Sequence, residues 1–174
     1  IRIHYTVTNP GTGPMYYQLG AHPGFNCPLH SGERFEDYVL EFEQEGTAGY
    51  HSYDLNRMEF NMNSYTPILD HAAVIPLTHE LFANDAIFFT DLRSKKVALK
   101  NQATGYGVEV SYPDFATVAF WTAAATKAPF LCVEPWNGSA IRSDEDDNFL
   151  NRHFLQKVES GESKEYQIWI KKIS

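Results

Sequence analysis

The octapeptide IRIHYTVT, residues 1–8, alternates apolar and polar side chains without interruption. A period of two places successive side chains on opposite faces of an extended chain, so this stretch predicts a half-buried β-strand. The next six residues, NPGTGP at positions 9–14, combine Asn, Pro and Gly in the manner of a turn. Residues 15–19 then predict a second strand, which we expect to be the hairpin partner of the first.

The same alternation of apolar and polar residues, with a period of two, recurs along the rest of the chain. Helical signal is confined to residues 78–84, with Thr78 as the cap, and to residues 143–153, whose acidic start suits a helix N-terminus. Many short strands joined by Gly, Pro and Asn turns are typical of an antiparallel sandwich rather than of βαβ units. We therefore expect an all-β fold in which residues 1–174 form one large antiparallel β-sandwich domain. Its further strands are predicted at residues 38–43, 86–92, 96–100, 106–112, 117–122, 130–136 and 165–172.

Charge and cysteine content weigh against several classes of function. The chain has 14 basic and 22 acidic residues and a net charge of −8. Binding to nucleic acid or to an anionic membrane surface normally needs a basic face, so neither partner is expected. No apolar run approaches the length of a membrane span. Cys27 and Cys132 lie in or beside apolar stretches, where a buried reduced thiol is usual, and we expect a cytoplasmic protein.

The segment GAHPGFN, residues 20–26, holds one histidine in a turn that glycine and proline make rigid. His22 is a candidate general acid, because the pKa of histidine lies near neutrality. Phe25 offers an aromatic face on which a sugar ring could pack. The alternative is a structural histidine that caps a loop.

The segment FLCVEPW, residues 130–136, places a carboxylate at the end of an apolar strand. Partial burial raises the pKa of a carboxyl group toward the range of a useful base, so Glu134 is a candidate partner for His22. Trp136 adds a flat aromatic surface. A glutamate that simply faces water is the alternative. Asp85 precedes an apolar strand, and it is a candidate either for a turn or for binding a sugar hydroxyl.

No metal site is predicted from spacing. The other six histidines show no recurring metal-ligand pattern. Asp144, Asp146 and Asn148 match the start of a calcium loop, but Phe149 stands where that loop needs glycine.

Taken together, Gly-x-His-Pro-x-Phe and Cys-x-Glu-Pro-Trp resemble the aldose 1-epimerase (galactose mutarotase-like) family, in its branch related to lactose-operon proteins. The likeness extends over essentially the whole chain and includes residues 7–9, 36–38, 81–88 and 112–115. It implies a large antiparallel sandwich, with His22 as general acid, Glu134 as general base and Asp85 near an aspartate that holds a sugar hydroxyl. The implied reaction interconverts the α and β anomers of an aldohexose, and it needs no metal ion or organic cofactor.

The resemblance also has a gap. Family members carry an additional N-terminal portion with a His-Gly-Phe segment, which supplies another site histidine and an arginine, and nothing in this sequence matches it. We therefore expect the chain to be the C-terminal portion of a longer polypeptide. Sheet edges left without neighbours would favour pairing with other chains, so a homo-oligomer is an open alternative.

Two other functions stay open. Sandwich folds host many functions, and a non-catalytic carbohydrate-binding or sensor domain is one alternative. A mutarotase for phosphorylated hexoses is the other, and it would need a basic cluster over the phosphate. The sequence identifies neither the sugar nor a cluster among the candidates Arg34, Arg57, Arg93, Arg142 and Arg152.

Overall fold

The computed structural model describes residues 1–174 and consists almost entirely of β-strands, which confirms the predicted all-β class. Its helical segments are four short 3-10 turns, at Phe35–Asp37, His79–Phe82, Ala124–Thr126 and Phe149–Asn151. None of them has the length and apolar character needed to cross a bilayer. In chain order the strands are β1 (Arg2–Thr8), β2 (Met15–Tyr17), β3 (Leu19–Gly20), β4 (Gly24–Asn26), β5 (Tyr38–Tyr50), β6 (Tyr53–Asp54), β7 (Glu59–Phe60), β8 (Thr66–Pro76), β9 (Ile87–Phe89), β10 (Lys96–Asn101), β11 (Gly107–Ser111), β12 (Thr117–Trp121), β13 (Phe130–Asn137), β14 (Gln156–Val158) and β15 (Ser163–Ile173).

Two antiparallel sheets form the sandwich. The larger has six strands in the order β1-β15-β11-β10-β5-β8. The smaller has five, in the order β3-β13-β12-β9, with β4 also paired to β13. Two short ribbons, β2 with β14 and β6 with β7, complete the structure.

The core lies between the two sheets and follows from the period-two alternation. On β10, Val97 and Leu99 are fully buried while their neighbours are only partly covered. Phe42 of the larger sheet meets Phe89 and Phe120 of the smaller sheet edge to face, with ring centroids 6.3 and 5.9 Å apart. Burial of such aromatic surface is the main source of stability in a two-layer fold.

The predicted hairpin between the first two strands is wrong. β1 pairs with β15, so that Arg2 lies opposite Trp169, and β2 pairs with β14. The turn exists, but the buried Asn9 redirects the chain. Its amide donates to the carbonyls of Gly13 at 2.8 Å and Val158 at 3.0 Å, which ties the turn to β14.

Each of the two predicted helical segments contains only a short 3-10 turn, at His79–Phe82 and at Phe149–Asn151. The Thr78 hydroxyl accepts a hydrogen bond from the backbone of Leu81 and caps the turn His79–Phe82, as the sequence predicts. Most of the segment 143–153 is not helical, because its polar side chains bond to nearby backbone instead. Asp146 accepts from the Asn148 backbone at 2.9 Å, and such local bonds compete with a helical ladder.

The edge strand β8 has no counterpart among the predicted strands. It contains Pro67 and ends at Pro76, and proline, which cannot donate to the ladder, is found mainly on edge strands and at bulges. His71 adopts a positive φ of 47°, and the pairing of β8 with β5 shifts register around that position. The resulting bulges break the alternation that makes a strand recognisable in sequence.

Candidate active site

The outer face of the smaller sheet, away from the core, carries the candidate site. On β13, Leu131 and Val133 point into the core, and the alternation therefore turns Cys132 and Glu134 to the opposite face. Ala119 of β12 pairs with Glu134 on one side and with Phe88 of β9 on the other. These residues form one row across the outer face.

A cavity of about 250 Å³ opens on this face. Three of its lining residues, His22, Asp85 and Glu134, carry imidazole or carboxyl groups, and its other walls are formed by Tyr53, Phe60, Ala86, Trp121, Trp136 and Ala140. Ionisable groups among aromatic walls are the composition expected of a small-molecule site.

The turn that carries His22 is fixed to β13 by backbone hydrogen bonds on both of its sides. The Ala21 amide donates to the Pro135 carbonyl at 3.0 Å, and the Val133 amide donates to the Pro23 carbonyl at 3.1 Å. His22 is held beside Glu134 in this way, although its side chain is 57% exposed. Its ring also meets Trp121 edge to face, with centroids 5.9 Å apart.

Glu134 is a buried carboxyl group with an unsatisfied oxygen. The His22 Nε2 and Glu134 Oε1 atoms lie 3.0 Å apart, but they are not aligned as a hydrogen bond, and Oε1 has no donor. Burial, with a smaller contribution from the charge of Asp85, raises the pKa of Glu134 to about 8. A carboxyl group with this pKa is suited to exchange protons near neutral pH.

Asp85 lies at the same cavity, on the turn that leads from the 3-10 segment into β9. Its amide donates to the Phe82 carbonyl at 3.1 Å, and its φ of 81° lies in the left-handed region, which Asp tolerates better than most residues. The structure therefore brings Asp85 to His22 and Glu134 from a segment about 50 residues before Glu134.

Trp136 stands against the backbone of its pairing partner. The position that a Cβ would take on Gly20 lies only 2.5 Å from the Trp136 ring, so glycine permits this close approach. The Trp136 indole N–H donates to the Ala21 carbonyl at 3.2 Å, and its ring leans on Phe88 with centroids 5.5 Å apart. One face of the cavity is thus a fixed aromatic surface.

Phe25 is the one predicted site residue that the structure does not bring to this cavity. It pairs with Leu131, which faces the core, and it packs against the core cluster. It lines a different, larger and mainly apolar cavity of about 740 Å³. Its lining includes His30 and Lys172 but neither Asp nor Glu, so it does not repeat the pairing of a histidine with a carboxyl group that marks the candidate site.

Five residues that line the cavity were not predicted from the sequence, and three of them are aromatic. Trp121 lies opposite Cys132, so it shares the face of Glu134, but only the register of β12 against β13 reveals this. Tyr53 and Phe60 come from the ribbon of β6 and β7, which is too short to give a recognisable alternation.

Comparisons with known proteins agree with this architecture. The sequence model of the family described as aldose 1-epimerase matches residues 1–147. The chromosomal LacX protein of Lactococcus lactis subsp. lactis is 34% identical over 159 residues, which cover 91% of this chain and 53% of LacX. The plasmid-encoded LacX protein of the same organism gives the same values. The chain thus spans about half the length of these relatives.

Solved structures show the same fold. A galactose mutarotase related enzyme from Lactobacillus acidophilus superposes with a TM-score of 0.88 at 24% identity, over 99% of this chain and 57% of that one. A galactose mutarotase-like protein from Lactobacillus casei gives a TM-score of 0.82 at 23% identity, over 99% and 58%. Because the family model matches most of the length of this chain, the chain belongs to the aldose 1-epimerase family.

Proposed function

We propose that this site interconverts the α and β anomers of an aldohexose by acid–base ring opening and closure. The observation that carries the proposal is the 3.0 Å approach of His22 Nε2 to Glu134 Oε1 at the mouth of an aromatic-walled cavity. One group is buried and has a raised pKa, whereas the other is exposed and adjacent. Such a difference in environment is the usual basis for separate acid and base roles.

In the proposed reaction, Glu134 takes the proton of the C1 hydroxyl while His22 gives a proton to the ring oxygen. The bond between C1 and the ring oxygen breaks, and C1 becomes an aldehyde. Rotation about the C1–C2 bond presents the other face of the aldehyde. On closure the two groups exchange roles, so both return to their starting protonation states.

The other members of the site bind the sugar in this proposal. Asp85 accepts a hydrogen bond from a ring hydroxyl, and Trp136 packs against the apolar face of the ring. Trp121 acts on His22 rather than on the sugar, because its edge contact limits the orientations of the imidazole.

An unphosphorylated sugar fits these residues better than a hexose phosphate does. The residues that line the cavity include neither Lys nor Arg. The nearby Arg142 is paired with Asp144 at 2.7 Å, and Arg152 is paired with Glu145 at 3.1 Å. A phosphate would need an unpaired basic group to offset its charge.

Polarimetry on freshly dissolved α-glucose and α-galactose tests the proposal. His22→Gln and Glu134→Gln should each lower the rate of mutarotation by about 100-fold or more, the usual contribution of a positioned acid or base. His30→Gln, which alters a histidine outside the cavity, should retain the rate of the unmodified chain. Saturable sugar binding without any acceleration would instead favour a non-catalytic binding or sensor domain.

A further inference from the structure

Three side chains of different chemistry converge on the outer face of the smaller sheet. The imidazole of His22, the thiol of Cys132 and the carboxyl group of Glu134 each offer one atom, and these atoms all lie within 4.8 Å of one another. Cys132 and Glu134 are two residues apart on β13 and share a face, whereas His22 comes from a turn more than 100 residues earlier. Spacing in the sequence could not reveal this set.

The burial of these groups is unusual for polar side chains that make so few bonds. Glu134 is 2% exposed and Cys132 is 4% exposed. The Oε1 atom of Glu134 makes no aligned hydrogen bond, although His22 Nε2 lies 3.0 Å away, and Cys132 is a free thiol. A buried oxygen without a partner costs free energy, and a cation at this point would satisfy it.

We propose that His22, Cys132 and Glu134 form a binding site for a thiophilic divalent cation of the Zn²⁺ class. One nitrogen, one sulfur and one oxygen ligand make a set that Zn²⁺ accepts in tetrahedral geometry, with ligand distances of about 2.0–2.3 Å. Ligand atoms around such an ion lie about 3.3–3.8 Å apart, so small side-chain rotations suffice from the present separation.

The charges of the ligand groups and the opening toward the cavity also favour a cation at this site. A thiolate and a carboxylate together offset the two charges of the ion in a region that water reaches poorly. The thiol proton, and any proton held by the Glu134 carboxyl group, pass to solvent as the bonds to the metal form. The exposed His22 ring lies on the side that opens to the cavity, which leaves the fourth position for a water molecule.

A bound ion would occupy the atoms that the proposed function uses. Zn²⁺ should therefore inhibit mutarotation, and a chelator should restore it. This consequence rests on the proposed function, whereas binding of the ion does not, so the two are tested separately.

Titration with Co²⁺ in the absence of sugar tests the site itself. The full chain should bind one Co²⁺. The complex should show a cobalt–thiolate charge-transfer band in the near ultraviolet and visible absorption bands as intense as those of tetrahedral Co²⁺. Zn²⁺ should displace the Co²⁺. The Cys132→Ser variant should lose the thiolate band, and Cys27→Ser, which alters the other buried cysteine, should keep it.

The exposed His22 provides a second variant that does not threaten the fold. His22→Gln should weaken Co²⁺ binding by at least about tenfold, since the loss of even an outer-shell partner of a metal ligand costs that much. Absence of saturable bands in the unmodified chain would overturn the site. So would an undiminished thiolate band in Cys132→Ser, or unchanged affinity in His22→Gln.

Discussion

Asp85, on the turn before β9, and Glu134, on β13, face one cavity, and the charge of Asp85 adds to burial in raising the pKa of the Glu134 carboxyl group. Two carboxylates near each other resist simultaneous ionisation, so the one that is more deeply buried holds its proton to higher pH. Asp85 thereby influences the proton affinity of a group that it does not touch through a hydrogen bond.

This relationship predicts how the pH dependence of catalysis responds to Asp85→Asn. In the unmodified chain, kcat/KM should fall as the pH drops through about 8, because Glu134 becomes protonated and can no longer act as a base. Without the charge of Asp85, the pKa of Glu134 should fall, and the midpoint of this decline should move to lower pH. Profiles of kcat/KM recorded in chelator-treated buffer provide the measurement. An exposed control, Asp70→Asn, should leave the midpoint unchanged.

The same raised pKa predicts a pH-dependent difference in stability between the unmodified chain and Glu134→Gln. The pKa of Glu134 rises on folding from its ordinary value of 4.5 to about 8, so its stabilising effect is complete below 4.5 and is lost as the pH rises through 8. Each pH unit in this interval costs the unmodified chain up to about 1.4 kcal/mol.

Urea unfolding at pH 5.5 and pH 8.5 checks that expectation. The stability of Glu134→Gln relative to the unmodified chain should rise between these two pH values, since glutamine does not ionise. The exposed Glu162→Gln serves as the matched control and should follow the unmodified chain. A constant difference across the pH range would contradict a raised pKa at Glu134.

Gly20→Ala should disturb the aromatic wall of the cavity. The added methyl group would lie 2.5 Å from the Trp136 ring, which must then move and lose its bond to the Ala21 carbonyl. We expect a stability loss of about 1–3 kcal/mol, typical of overpacking, together with a raised KM and an altered tryptophan fluorescence. Gly13→Ala adds a methyl group with no neighbour within 4 Å and should change none of these quantities.

Asn137→Ala should destabilise the end of β13. The Asn137 side chain is buried; its carbonyl oxygen accepts from the Ala116 amide at 2.9 Å, and its amide donates to the Asp114 carbonyl at 2.7 Å. Leaving these groups without partners costs about 1–3 kcal/mol each. The midpoint of urea unfolding measures the loss, and Asn56→Ala, at an exposed position, should be close to neutral. An equal effect at both positions would contradict the role of the buried bonds.

Much of the fold could be predicted because alternation is a local property. The strands at 96–100, 117–122 and 130–136 are present with ends shifted by at most one residue. Strand pairing is not local, however. The turn after β1 was predicted correctly, but its consequence depends on Asn9 bonding to Val158, almost 150 residues away.

The candidate site likewise combines features that the local sequence predicts with contacts that only the complete fold brings about. The apolar run around Glu134 predicts its burial, but β13 continues to Asn137, so Glu134 lies within the strand rather than at its predicted end. Its approach to His22 depends on the docking of the His22 turn on β13. Phe25 was placed at the site because it is close to His22 in sequence. Phe25 lies three positions after His22, and its side chain faces the opposite side of the sheet.

Strand β13 contributes Leu131 and Val133 to the core on one face and carries Glu134, the proposed base, on the other. Insertion of one residue ahead of Leu131 would exchange these faces, sending Glu134 into the apolar interior and the two aliphatic side chains into the cavity. Point substitutions can therefore reshape this pocket one group at a time, whereas a change of length in β13 would abolish folding and chemistry in a single event. In a collection of natural variants, gaps should be absent from residues 131–134 even where the identities of the residues differ.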